Sequence, residues 1–210
     1  MEDRVVLFNR LLSLIKGSNR EKVVFATAGE LIDRLKITPA SNRVAYHNCY
    51  EGGLLDHLNV VTLKMLADLS YYKVPLYSVV IAGLFHDLGK IGSKTMCYYQ
   101  PAEQWRVERG IPYEIPPEIK ILPHAARSIH ILSQFNVQLT EHEFQAIMYH
   151  NMLSEDSALI RHQESPLLCM LHYADMYACQ VFEKSYDHDE AIMKKLLNVL
   201  DSYDNEEEEE

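Results

Sequence analysis

Apolar residues recur at intervals of three and four through most of the chain. Val5, Leu7, Phe8, Leu11, Leu12, Leu14 and Ile15 form one such stripe, which predicts a helix stopped at Gly17-Ser18-Asn19. A second helix is expected from about Glu21 to Lys36, with Val24, Ala28, Leu31, Ile32 and Leu35 on one face. Thr38-Pro39-Ala40-Ser41-Asn42 breaks it. After Gly52-Gly53 a long helix carries Leu54, Leu58, Val61, Met65 and Leu69. Pro75 separates it from a nearly all-apolar helix, Tyr77 to about Leu88, closed by Gly89. Further helices are expected from Pro123 to about Phe135, from Thr140 to about His150, from Pro166 to about Tyr186, and beyond Asp187. Thr140 and Glu143 have the spacing of a capping box.

The segment from Cys97 to Pro117 breaks the helical period. Tyr98-Tyr99, Trp105-Arg106-Val107 and Ile111-Pro112-Tyr113 mix aromatic and β-branched residues with turn formers, so a small β-hairpin or ordered loop is expected. The predicted fold class is therefore all-α with one small excursion, in a single globular domain. Residues 1–40 form N-terminal helices packed on the core, 41–200 carry the main bundle, and 201–210 read as an acidic disordered tail.

Charge and composition narrow the function. Thirty acids against twenty bases give a formal charge of −10, half of it in the last five residues, Glu206 to Glu210. Such a balance argues against binding a long nucleic acid, which needs Lys and Arg to neutralise phosphates. A small phosphorylated ligand needs only a few local cations. No apolar run reaches about 18 residues, so no membrane span is expected. Met1-Glu2-Asp3-Arg4 lacks a signal-peptide layout. Cys49, Cys97, Cys169 and Cys179 form no Cys-x-x-Cys pair, which fits reduced, mostly buried thiols in a cytoplasmic protein.

Candidate chemistry lies where polar groups interrupt apolar stripes. His57 shares a helix face with Leu54 and Val61. His86-Asp87 ends the most apolar helix, and Asp175 follows Leu168 and Leu171 at helical spacing. An inward carboxylate is costly unless it is paired, hydrogen-bonded or bound to a metal. Taken singly, each residue also fits a satisfied core position or a cap. Taken together, two imidazoles and two carboxylates on three apolar helices suit a divalent ion held in a bundle core, with open coordination positions.

The motifs Tyr50-Glu51-Gly52-Gly53-Leu54-Leu55-Asp56-His57 and His86-Asp87-Leu88-Gly89-Lys90, followed by Ala174-Asp175, resemble the HD-domain superfamily of metal-dependent phosphohydrolases. The resemblance covers roughly His47 to Glu183. It implies an HD-domain helical bundle in which His57, His86, Asp87 and Asp175 hold one divalent metal. It also implies that His124 and His150 add a second ion bridged by Asp87; the alternative is that these two contact phosphate or cap helices. The ions would be drawn from Mn, Fe, Co, Ni, Zn or Mg.

Asp87 and Lys90 are the candidate catalytic residues, Lys90 through a substrate phosphate. Arg43, His47, Asn48 and Arg127 are candidates for phosphate or sugar contact. Asn48 departs from relatives that carry two consecutive histidines there. Asp56 fits either an outer-shell partner of His57 or a solvated acid. His130, His142, His162, His172 and His188 match no motif position.

The activity implied is hydrolysis of a phosphate ester or anhydride of a small nucleotide by metal-activated water. A phosphodiesterase or 3′–5′ exonuclease on short oligonucleotides is one alternative, since Tyr-x-Gly-Gly-Leu is similar to certain exoribonucleases. A non-catalytic nucleotide-sensing module is another. The Gly-Tyr-Pro motif of cyclic-dinucleotide phosphodiesterases is missing, as are the signatures of triphosphohydrolases and alarmone hydrolases. Tyr98, Tyr99, Trp105 and Tyr113 can either stack a base or pin their loop to the bundle. A homo-oligomer is compatible with the sequence.

Overall fold

The computed structural model describes residues 3–152, 158–183 and 190–207. Nearly all of the regular structure is helical: α1 (Arg4–Ser13), α2 (Glu21–Leu35), α3 (Gly53–Asp68), α4 (Leu76–Phe85), α5 (Gln104–Val107), α6 (His124–Gln134), α7 (Glu141–Tyr149), α8 (Pro166–Tyr177) and α9 (Glu190–Glu207). Two-residue strands, β1 (Gln100–Pro101) and β2 (Tyr113–Glu114), pair antiparallel around α5. The all-α expectation holds, and the aromatic segment is a minimal hairpin with one helical turn at its tip. No helix among the described residues is long and apolar enough to cross a membrane.

The centre of the bundle is α3, which packs against α1, α4, α8 and α9. Its sequence explains this position, because Leu54, Leu55, Leu58, Val61, Leu63 and Met65 point around the whole helix and are fully buried. A helix apolar on all sides must be enclosed by neighbours. The Gly-Gly pair before it is a backbone requirement. Gly52 has φ +79°, and a Cβ there would sit 2.9 Å from the Lys36 carbonyl. Gly53 lies so close to the Asn48 backbone that a Cβ would overlap it.

α4 ends at Phe85, three residues before the expected end. Ser128 of α6 is the reason. Its hydroxyl donates to the His86 carbonyl at 2.7 Å and accepts from the Gly89 N–H at 2.8 Å. The chain therefore leaves the helix and turns through a 3-10 segment, Leu88–Ile91, against α6.

Two other expectations are corrected. Residues 201–207 are helical, because α9 continues to Glu207 and Arg10 of α1 pairs with Asp201 at 2.7 Å and Asp204 at 2.6 Å; 208–210 lie outside the described residues. The cysteines are free, as expected, but none is fully buried and Cys97 is exposed. The capping box at Thr140 forms as predicted. The expected end of the eighth helix near Tyr186, and His188, lie outside the described residues.

Candidate metal centre

Asp87 sits at the focus of four helices. It follows α4 in the turn fixed by Ser128 and is 2% exposed. One oxygen, Oδ1, lies 3.3 Å from His124 Nε2 at the start of α6 and 3.5 Å from His150 Nε2 at the end of α7. The other, Oδ2, lies 3.6 Å from His57 Nε2 of α3 and 3.7 Å from His86 Nε2. Asp175 of α8 closes the group, with Oδ1 3.3 Å from His57 Nε2. The six side chains expected to meet around metal therefore converge.

The spacing separates two interpretations of this cluster. Charge-assisted N–H···O bonds fall at about 2.7–2.9 Å. Two donors on one ion, each about 2.1 Å from it, lie about 3.0–3.4 Å apart. The Asp87 and Asp175 contacts are too long for the first case and near the second. His57 Nε2, His86 Nε2 and Asp87 Oδ1 are buried without a hydrogen-bond partner, which natural cores seldom tolerate. Potential ligand atoms of His57, His86 and Asp87 lie within 4.8 Å of one another, as do those of Asp87, His124 and His150, and of His86, His150 and Asp175.

The far nitrogens of three of the rings are already engaged. His86 Nδ1 donates to the Gly83 carbonyl at 2.9 Å and His150 Nδ1 to the Ile147 carbonyl at 2.8 Å. His57 Nδ1 faces Glu183 at 3.1 Å. Such bonds fix the tautomer and aim the Nε2 lone pair at the centre, as metal-binding histidines require. Asn151 places its amide nitrogen 3.0 Å from Nε2 of both His124 and His150. It meets the same lone pairs that a cation would use. The donor set thus fits one or two divalent ions.

Electrostatics follow from burial and charge. Burial lowers His86 to about 3 and His124 to about 4, so both rings stay neutral. For His57 burial also acts downward, but Glu183 and Asp175 outweigh it and raise the ring to about 10. Burial pushes Asp87 up, yet the Lys90 ammonium beside it holds its carboxyl well below the ordinary range. Without an ion, the cluster keeps its balance through an imidazolium and an ammonium among buried carboxylates. A cation would displace the His57 proton.

The remaining candidates divide. Lys90 does reach the centre, but its ammonium is committed to Asp87 Oδ2 at 2.5 Å. The His47 ring packs tilted against the His57 ring, 4.8 Å between centroids, and burial lowers it to about 2. With Tyr46, Asn151, His172 and Asp175 it lines a cavity of about 410 Å³ that opens onto the cluster. Asn48 is buried under the start of α3, with φ 42°, and its amide donates to the Gly53 carbonyl at 3.4 Å, so it shapes the turn. Arg43 is exposed and lies over the Tyr46 ring, 5.7 Å from its centroid.

Arg127 is not directed at the cluster. Its guanidinium donates to the Ile119 and Leu122 carbonyls instead. Asp56 is no partner of His57 either; it pairs with Arg4 at 3.3 Å and accepts from the Tyr50 hydroxyl at 3.0 Å. Of the aromatics, Tyr98, Tyr99 and Tyr113 cluster, with the Tyr99 hydroxyl donating to the Ala40 carbonyl at 3.3 Å. Trp105 stands apart, half exposed under Arg106 and Arg109.

Sequence reasoning missed Glu183, Cys179, Asn151, Ser128 and the cavity role of His172. Cys179 donates to Asp175 Oδ1 at 3.2 Å, and His172 Nδ1 to the His150 carbonyl at 2.7 Å. Glu183 and Cys179 fall at intervals of four after Asp175, a signal present in the sequence. Protein-family models, curated proteins and solved structures contain no match to this chain.

Proposed function

We propose that this protein is a metal-dependent phosphohydrolase of the HD-domain type that cleaves a phosphate ester or anhydride of a small nucleotide. The reading is carried by one observation: three buried, unpartnered donor atoms, His57 Nε2, His86 Nε2 and Asp87 Oδ1, converge on one centre. His57, His86, Asp87 and Asp175 would hold one ion; Asp87, His124 and His150 would hold a second. Bound there, a divalent ion lowers the pKa of water and neutralises phosphoryl oxygens.

The chain's own groups supply position and charge. Asp87 offers one oxygen to each pair of imidazoles, so a single carboxylate can link two ions. Lys90 seats Asp87 and would share its ammonium with a substrate phosphoryl group. His47, Asn151 and His172 line the approach, in a cavity large enough for a phosphate and sugar. The negative overall charge disfavours a long polyanion. The cytoplasm is the compartment that fits free thiols.

Elemental analysis of the purified chain, followed by phosphate release from a nucleotide panel with added Mn²⁺, Co²⁺, Ni²⁺ or Mg²⁺, tests the reading. Bound metal and turnover, both lost in Asp87→Asn, are expected. Mononucleotides released from short oligomers would move the protein to the exonuclease class. Tight nucleotide binding without turnover under every ion would make it a sensor.

A further inference from the structure

A second cavity, of about 520 Å³, lies between α2, the loop 91–96, the turn before α6, and α6 itself. Leu31, Ile119, Ile131 and Phe135 give it apolar walls, and Arg34, Lys94 and Arg127 bring three cations to it. In a chain with ten more acids than bases, that is an inverted local balance. Among the described residues none of the three cations pairs with a carboxylate. The one acid on the wall, Glu118, is exposed. Arg127 is only 7% exposed and its Nε has no hydrogen-bond partner.

Guanidinium groups with backbone carbonyls but no carboxylate for partners, beside an apolar wall, match a specific kind of ligand. Guanidinium forks bind oxyanions by charge-assisted hydrogen bonds, and the apolar surface favours a flat hydrophobic body. We propose that this cavity binds a small organic phosphate carrying an aromatic group, at a site separate from the His-Asp cluster.

The site also has a route to the cluster. Arg34 donates to the carbonyl of Ile91, the last residue of the turn that carries Lys90. The cavity wall continues directly from there through Gly92 to Met96. A bound anion competes with the Ile91 carbonyl for Arg34, so occupancy is communicated to the turn that seats Lys90 on Asp87.

The probe is 1-naphthylmethylphosphonate, whose carbon–phosphorus bond survives phosphoester chemistry. Fluorescence titration of the full chain is expected to show one equivalent bound, weakened about tenfold in Lys94→Gln and in Arg34→Gln and unchanged in Asp175→Asn. Lys94 is exposed, so its variant keeps the fold even where Arg34→Gln does not. Affinity that follows Asp175 but not Lys94 would put the probe in the catalytic cavity and overturn the site. Equal binding of inorganic phosphate or of 1-naphthalenemethanol would overturn the ligand class. Saturating probe is expected to change amide hydrogen exchange across residues 88–92, and an unchanged pattern would sink the coupling.

Discussion

Both carboxylate oxygens of Glu183 lie 3.1 Å from Nδ1 of His57. The pair is buried, and it holds the imidazole with Nε2 toward Asp87 and Asp175. Glu183 is thus a positioning residue for the cluster, acting through His57. Removing its charge while keeping its shape should weaken metal binding without unfolding the chain. Glu183→Gln is expected to lose about 10–100-fold in affinity for Mn²⁺ or Zn²⁺, measured by calorimetric titration alongside circular dichroism. Unaltered affinity would assign Glu183 a purely structural role.

Ser128 joins α6 to the His-Asp turn by two hydrogen bonds in a site with no access to water. Ser128→Ala leaves the His86 carbonyl and the Gly89 N–H unpaired. Each orphaned group costs about 1–3 kcal/mol, so a drop of at least that size is expected in urea unfolding. The same variant should also lose metal affinity, because Asp87 is no longer fixed.

Gly89 faces the His124 carbonyl so closely that no side chain fits between them. Gly89→Ala must push α6 away from the turn, which overpacking makes costly by about 1–3 kcal/mol. The stricter expectation concerns the pair His124 and His150. Asp87 Oδ1 loses its neighbours, so any second equivalent of metal should vanish before the first. Metal counting by mass spectrometry checks the order.

Glu143 is fully buried and takes a bidentate ion pair from Arg20, at 2.5 and 2.9 Å, with the Ser78 hydroxyl donating at 2.6 Å. Burial raises its pKa, but these donors outweigh burial and lower it below the ordinary 4.5. The folded state therefore binds this proton less readily than the unfolded state does. Its contribution is complete above pH 4.5 and is lost as pH falls through the lower folded value. Urea unfolding in steps between pH 7 and 3 should show that loss, and Glu143→Gln should remove it. Arg20→Ala, which strands the carboxylate, is expected to cost about 3–5 kcal/mol at pH 7.

Chelation gives a test that needs no mutation. If divalent ions bind only the folded chain, saturation at about one hundred times Kd adds about 2.7 kcal/mol. Dialysis against a chelator should lower the melting temperature, and restoring one cation should recover it. No shift with any divalent ion would contradict the metal reading.

Much of this architecture was legible in the sequence because helices write their burial at intervals of three and four. His57, Asp87 and Asp175 stood out for the same reason, as polar groups on apolar stripes. The end of α4 was not legible, since the whole segment is apolar and the stop comes from Ser128, some forty residues away. That Arg127 points away from the cluster was not legible, because a sequence does not reveal which backbone carbonyls an arginine finds. Asp201 and Asp204 were misread as tail residues because the acids that Arg10 holds look the same in sequence as solvated ones. Glu183 escaped notice although it falls at intervals of four after Asp175 and Cys179, because nothing in the sequence shows that it faces His57.

From Ala178 to Phe182 the backbone winds as a π-helix, and the Glu183 N–H reaches the Ala178 carbonyl, five residues back, at 2.9 Å. An ordinary helix advances about 100° per residue, so the wider winding keeps Asp175, Cys179 and Glu183 in register along one side. Chain length here matters as much as chain chemistry. Excising a single residue from the coil would swing the glutamate out of reach while leaving every participating side chain in the sequence.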